Sequence, residues 1–166
     1  MFQGLPWGAD GQRIGERFGA RLVPASCDAE ARAASEKAGE WCESPTVPNY
    51  VVAGVPFVLT LHLDAAERRL VRVTLSHTAE QGRGGEPRWS DHHRVLRRLL
   101  AQRYGGPESS DLQHEGTLTT AQARWRTGLA LIDLVSTFQP RSGSTPARER
   151  VQITYQSPLH GEAAKL

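Results

Sequence analysis

The chain has 166 residues and a formal net charge of +2, with 39% apolar and 23% charged residues. This length suits one domain or two small packed subdomains, and the composition is ordinary for a globular protein. The small excess of cations argues against a nucleic-acid-binding module, which usually carries a stripe of positive charge. The chain has no run of about 18 apolar residues, so we expect no membrane span.

The first predicted helix covers about residues 10–18. Asp10 is a good N-cap, and Ile14 and Phe18 fall on one helical face. Gly19 can adopt the left-handed conformation that commonly ends a helix. We therefore expect a short amphipathic helix that packs on a core.

Two cysteines, Cys27 and Cys42, flank a second predicted helix at residues 28–38, whose apolar residues are all alanine. Their spacing is neither that of a redox pair nor that of a zinc site. We predict a disulfide that tethers this helix to the surface, and with it an oxidising compartment. Two unrelated buried thiols in a cytosolic protein are the alternative. The start of the sequence has no basic region and no apolar core, so it shows no signal peptide. On the evidence of the two cysteines, we expect a periplasmic or secreted protein whose signal peptide is absent from this sequence.

Strands are predicted at residues 50–53, 55–63 and 69–76. The second of these alternates apolar and polar side chains, which is the period of a half-buried strand. A five-residue turn at 64–68 would place Leu61 opposite Val71 and Leu59 opposite Val73. The other face of this hairpin would carry a polar set, comprising Thr60, His62, Arg72 and Thr74.

The glycine-rich segment 81–88 is the predicted junction between two halves. The helix after it, at residues 90–104, is the clearest in the chain and ends in Tyr104-Gly105. Its apolar stripe comprises Val95, Leu96, Leu99 and Leu100. Residues 107–116 are predicted to be a polar loop.

The last predicted hairpin has strands at 120–126 and 129–138 around a two-residue turn, followed by a final strand at 151–155. Trp125 would lie opposite Ala130 on an apolar face. The reverse face combines arginine with aliphatic side chains, which is the composition of an interaction surface. The predicted protein-binding residues are Arg124, Arg126, Leu129, Leu131 and Asp133. The alternative is that a helix or the other half of the protein covers this face.

The histidines do not form a recognisable catalytic or metal-binding motif. His92 and His93 are adjacent on a helix and point about 100° apart, so they cannot easily share one ion. Neither an HExxH motif nor a GxSxG motif occurs. We therefore expect no catalytic residue, no metal and no cofactor. An alternative is a small-molecule site or a hydrolase that uses His62, His77 or His92 in a cleft between the halves.

Together these elements predict an α+β fold. It would consist of two similar halves, each a helix followed by an antiparallel meander, with the helices packed on one face of antiparallel sheet. The halves would span residues 1–80 and 89–158, joined by the linker 81–88 and followed by a frayed tail at 159–166. We expect the two halves to form one compact domain.

The layout resembles the tandem helix-plus-antiparallel-sheet proteins typified by the β-lactamase inhibitor protein and the small outer-membrane-assembly lipoproteins. The motifs that carry the resemblance are Leu5-Pro6-Trp7-Gly8, Phe18-Gly19, and Leu100 followed by Tyr104-Gly105-Gly106-Pro107. The resemblance implies a protein that binds other proteins and is not a catalyst, with inhibitors and immunity proteins as recurrent roles. No functional residue can be carried over, because binding faces differ between members. The chain shows no lipobox cysteine, so a lipid anchor is unsupported.

The sequence thus predicts a non-enzymatic periplasmic or secreted module that binds another protein, such as an inhibitor or an immunity protein. We expect the protein neither to bind nucleic acid nor to span a membrane. Besides the small-molecule or hydrolase alternative, a third hypothesis is a role in assembly or scaffolding of the cell envelope.

Overall fold

The computed structural model describes residues 2–81 and 89–158, without the side chains of residues 80, 81, 89 and 90. The described helices are α1 (Gly11–Phe18), α2 (Ala29–Ala38) and α3 (Trp89–Tyr104), with a short 3-10 turn at Gly19–Arg21. The described strands are β1 (Val23–Pro24), β2 (Pro45–Val52), β3 (Val55–Leu63), β4 (Leu70–Gln81), β5 (Ser109–Glu115), β6 (Leu118–Arg126), β7 (Leu131–Gln139) and β8 (Ala147–Gln156). These elements confirm the α+β class. The predicted linker, except Gln81, and the predicted tail at 159–166 lie outside the described residues.

All eight strands form one antiparallel sheet in the order β1-β2-β3-β4-β8-β7-β6-β5. The last strands of the two halves, β4 and β8, pair at its centre over ten residue pairs, from Arg72–Gln156 to Gln81–Ala147. The two halves therefore share a single sheet, and the strand order of the first half is mirrored in the second.

Helices α1 and α3, which begin the two halves, pack on the same face of the sheet. Asp10 caps α1 by accepting a hydrogen bond from the backbone N–H of Arg13 at 3.1 Å, and Ile14 and Phe18 are buried. α3 buries Leu96 and Leu100 but leaves Val95 and Leu99 exposed by 42% and 41%, so only half of its predicted apolar stripe is covered.

The core lies between these helices and the sheet. One row of apolar side chains crosses it, comprising Val47, Leu59, Leu75, Ile153, Leu134 and Ala123. Trp125 and Phe57 are the largest fully buried side chains. Burial of one such aromatic side chain contributes roughly 1.5–3 kcal/mol to the hydrophobic stabilisation.

The predicted registers of both hairpins are wrong by two residues. Leu61 lies opposite Val73 and not Val71, because the turn between β3 and β4 is longer and Asp64 accepts hydrogen bonds from three backbone N–H groups within it. Similarly, Trp125 lies opposite Ile132 and not Ala130. A shift of two residues leaves every side chain on its predicted face, whereas a shift of one would have reversed the faces.

The prediction of a loop at residues 107–116 is also wrong, because β5 occupies Ser109–Glu115. All seven of its residues are exposed, since β5 is an edge strand. Its sequence therefore lacks the apolar alternation on which strand prediction depends. β2 and β8 likewise extend four or more residues beyond their predicted starts, to Pro45 and Ala147.

Candidate protein-binding face

The open face is the sheet surface opposite α1 and α3, and it consists of the mainly polar residues that alternate with the core residues. One row of its side chains crosses six adjacent strands, comprising Thr60, Thr74, Thr154, Asp133, Arg124 and Ser109. Its neighbouring row contains His62, Arg72, Gln156, Leu131 and Arg126. The open face is therefore a broad, mainly polar surface.

Four of the five predicted binding residues lie together on the open face of β6 and β7. Nε of Arg124 donates a hydrogen bond to Oδ1 of Asp133 at 2.6 Å, and this hydrogen bond raises the pKa of Arg124 above its ordinary value. Nε of Arg126 lies 3.7 Å from Oε2 of Glu108. Leu131 is half-buried beside Arg126. Cations, anions and an aliphatic side chain thus lie side by side.

The fifth residue, Leu129, lies in a different place from the one predicted. It belongs to the turn before β7 and not to the strand, because Thr127 donates its backbone N–H to the carbonyl of Ala130 and closes a longer turn. Leu129 is 64% exposed, and its carbonyl accepts a hydrogen bond from the indole of Trp7. It therefore lies in the turn before β7, where the N-terminal segment contacts the second half.

The open face of the first half is covered at one end by α2. Ala31 and Ala34 of α2 share a cavity of about 260 Å³ with His62 and Arg72 of the sheet. Cys27 and Cys42, which flank α2, form the predicted disulfide. α2 buries none of its own side chains, so the disulfide and its flanking chain hold it in place.

Beneath α2 lies a charge network in which a buried carboxylate, that of Glu40, meets two partly buried partners. Both oxygens of the Glu40 carboxylate accept hydrogen bonds from Arg72, at 2.8 and 2.6 Å, and Nδ1 of His62 lies 2.8 Å from Oε2. Burial alone would raise the pKa of Glu40, but the hydrogen bonds from His62 and Arg72 outweigh it and hold the pKa at about 2. Nε2 of His62 also contacts the hydroxyl of Thr74 at 3.1 Å. These groups satisfy one another's hydrogen-bonding capacity, so we interpret the network as structural.

The remaining predicted histidines lie on the helix-covered face. Nδ1 of His92 lies 3.0 Å from Oε2 of Glu149, whereas Nδ1 of His93 lies 2.9 Å from the buried hydroxyl of Ser136. Burial lowers the pKa of His93. The ring of His77 meets that of His92 edge-on, with their centroids 5.8 Å apart. The structure thus brings His77 and His92 together but leaves His62 on the other face.

Glu149 is not among the residues predicted from the sequence, although it is almost completely buried and its Oε1 has no hydrogen-bond partner among the described residues. The predicted last strand begins at Val151. Extending its alternation towards Ala147 would have placed Glu149 on the core face. Within residues 2–81 and 89–158, no group of three or more histidine, cysteine, aspartate or glutamate side chains is arranged to hold a metal ion.

No family model matches the chain, and no curated protein or solved structure shows detectable similarity to it. Among the described helices, none combines the length and apolar character that crossing a membrane requires.

Proposed function

We propose that this protein is a non-enzymatic module that binds another protein through the open face of its second half. The observation that carries the proposal is the difference in cover between the halves. α2 lies over the open face of the first half, whereas among the described elements α3 contacts β6, β7 and β8 from the opposite side. A sheet surface of mixed charge is thereby left accessible around Arg124 and Asp133.

The size of the open face of the second half suits a small protein interface. Its four strands, spaced about 4.8 Å apart, span roughly 14 Å, and a strand of nine residues is about 30 Å long. The resulting area of about 430 Å² is roughly half of the 800 Å² that each partner buries in an interface of standard size.

The chemistry of the open face also suits a protein partner. Arginine is enriched at protein interfaces, and the hydrogen bond to Asp133 restricts the orientation of the Arg124 side chain. Because part of its conformational entropy is already lost in the free protein, Arg124 can contact a partner at a smaller entropic cost. Leu131 supplies apolar area beside it.

The disulfide supports a periplasmic or secreted location, because such bonds persist in oxidising compartments. The roles that follow from the resemblance to the tandem helix-plus-sheet proteins are those of an inhibitor or an immunity protein. The partner would then be an enzyme or a toxin whose activity this protein blocks. A role in envelope assembly would instead give stable association with a large complex.

Affinity capture from an envelope extract, read by mass spectrometry, tests the proposal with three baits. The first is the unaltered protein, and the second carries Arg124→Ala with Leu131→Ala. The third is a matched control with Arg98→Ala and Leu112→Ala, which replaces an exposed arginine and an exposed leucine that do not lie on the open face. We expect one stoichiometric partner with the first and third baits and its loss with the second.

Circular dichroism and urea unfolding establish that each bait is folded. Capture of the same partner by all three folded baits would show that the open face of the second half is not the binding surface. Capture of no partner by the unaltered protein would argue against a protein-binding function and favour the small-molecule alternative.

A further inference from the structure

The helix-covered face contains an apolar cavity between the two halves, on the opposite side of the sheet from the proposed protein-binding surface. Its volume is about 390 Å³, within the range of roughly 300–1,000 Å³ that is typical of small-ligand sites. Leu75 of β4 and Ile153 of β8 contribute to it from the sheet, and Leu96 and Leu100 contribute from α3. Because β4 ends the first half and β8 ends the second, the cavity lies where the halves meet.

One wall of the cavity is an apolar side chain that the protein itself leaves partly uncovered. Leu99 of α3 lines the cavity and is 41% exposed, and Val95, one turn earlier on α3, is 42% exposed. Each uncovered apolar side chain forgoes part of the hydrophobic stabilisation that complete burial would contribute. A hydrocarbon chain in the cavity would cover Leu99 and recover that stabilisation.

The cavity has a cationic group at its solvent side. Arg103 lines the cavity and is exposed, and its guanidinium lies 5.6 Å from the ring centroid of Tyr104. No described carboxylate forms a salt bridge with Arg103, whereas Arg124 and Arg126 both have such partners. An anionic group at the mouth of the cavity would therefore find an available cation.

The inner part of the cavity is uncharged. Burial is the main reason that the pKa of Tyr155 is raised, and the neighbouring Tyr104 raises it further. Tyr155 therefore keeps its proton, and it contributes a ring and a neutral hydroxyl to the lining. An apolar interior with a cation at its mouth fits a molecule that has a hydrocarbon body and an anionic end.

We propose that this cavity binds a single-chain amphiphile with an anionic head group, such as a free fatty acid. The chain would lie along Leu99, Val52 and Tyr155, which line the cavity and are not fully buried, and the head group would contact Arg103. This site is separate from the open face, so it does not depend on the proposed protein-binding function.

Isothermal titration calorimetry with dodecanoate, below the concentration at which it forms micelles, tests the proposal on the full chain. The comparison ligand is dodecyltrimethylammonium, which has the same hydrocarbon chain and the opposite charge. We expect saturable binding of one dodecanoate per protein, and at least tenfold weaker binding of the cation.

Three variants assign the binding to the cavity. Arg103→Gln should weaken dodecanoate binding about tenfold, because a charged contact at the mouth is lost, and should leave binding of the cation no weaker. Leu99→Trp should also weaken dodecanoate binding, since the larger side chain would extend across the mouth at a position where exposure tolerates it. Arg98→Gln is the control, because Arg98 is an exposed arginine of the same helix that does not line the cavity.

The proposal is overturned if dodecanoate binding does not saturate, or if both surfactants bind equally well. It is also overturned if Arg103→Gln and Leu99→Trp, shown to be folded by circular dichroism, bind as tightly as the control. Binding to phosphatidylglycerol vesicles without binding of dodecanoate would point to a membrane surface and would equally contradict it.

Discussion

The two halves of the molecule follow the same plan and differ in how the open face is finished. In the first half, α2 and its disulfide cover Glu40, Arg72 and His62, and these groups satisfy one another. In the second half, the pair formed by Arg124 and Asp133 remains accessible to solvent. The same sheet surface is thus partly covered in one half and open in the other.

This difference determines what each ion pair contributes to stability. A buried pair is costly to break, because removing one partner leaves a charge without compensation in a poorly solvated site. An exposed pair contributes little, because water and salt screen both charges. The two halves therefore use similar ion pairs differently. The pair of Glu40 and Arg72 stabilises the fold, whereas the pair of Arg124 and Asp133 is accessible to a partner.

The largest expected effect compares the two arginines directly. Arg72→Ala should lower the free energy of unfolding by about 3–4 kcal/mol, because Glu40 would stay buried with only His62 as a partner. Arg124→Ala should lower it by less than about 1 kcal/mol. Urea denaturation at neutral pH measures both values. Equal losses would show that the cover over the first half does not make its ion pair more important to stability.

Acid should act on the first half through Glu40. The pKa of this carboxylate is about 2 in the folded protein and 4.5 is its ordinary value. Because the folded pKa is the lower one, the stabilisation is complete above about pH 5 and is lost as the pH falls from there towards 2. The shift corresponds to about 3 kcal/mol. The Glu40→Gln variant should be less stable than the unaltered protein at neutral pH. Between about pH 5 and about pH 2, its free energy of unfolding should fall by less than that of the unaltered protein. A series of urea unfolding curves would measure both. An unchanged pH dependence would rule out Glu40 as the responsible group.

Loss of the disulfide should loosen α2 in the first half and leave the folded structure of the second half unchanged. Cys27 and Cys42 close a loop with a sequence separation of 15, and such a loop contributes roughly 3 kcal/mol by restricting the unfolded chain. In a variant with Cys27→Ser and Cys42→Ser, we expect the free energy of unfolding to fall by about 2–3 kcal/mol. We also expect faster amide exchange in α2, because this helix buries no side chain. Partner binding should be unaffected. Loss of binding in a folded variant would instead place α2 in the interface.

The sequence predicts well which face of the sheet each side chain lies on, and it predicts the register between strands poorly. Alternating side chains set which residues face the core, so the pattern places His62, Arg72, Arg124 and Asp133 on the correct side. The register depends on the lengths of turns, and these are stabilised by side-chain contacts such as those of Asp64 that spacing alone does not reveal. The edge strand β5 escapes prediction because it has no buried face.

For the candidate site, the sequence likewise predicts residue positions correctly where they depend on strand faces and incorrectly where they depend on a turn. Four of its five predicted residues lie together because they alternate along two neighbouring strands, and Leu129 differs because the turn is longer than predicted. The cover over the first half could not be foreseen, since it depends on where the tethered helix α2 lies in space. The partnership of Glu149 with His92 joins residues 57 positions apart and is likewise a product of the tertiary fold.

Site-specific photo-crosslinking tests most directly whether the open face of the second half binds a protein. A photoreactive amino acid would replace Val135, which lies on the open face of β7 in the row next to Asp133, or Leu112, which lies on the helix side of β5. We expect a crosslink to a single partner protein from position 135 and none from position 112. A crosslink from position 112 alone would place the partner on the helix-covered face and would contradict binding through the open face.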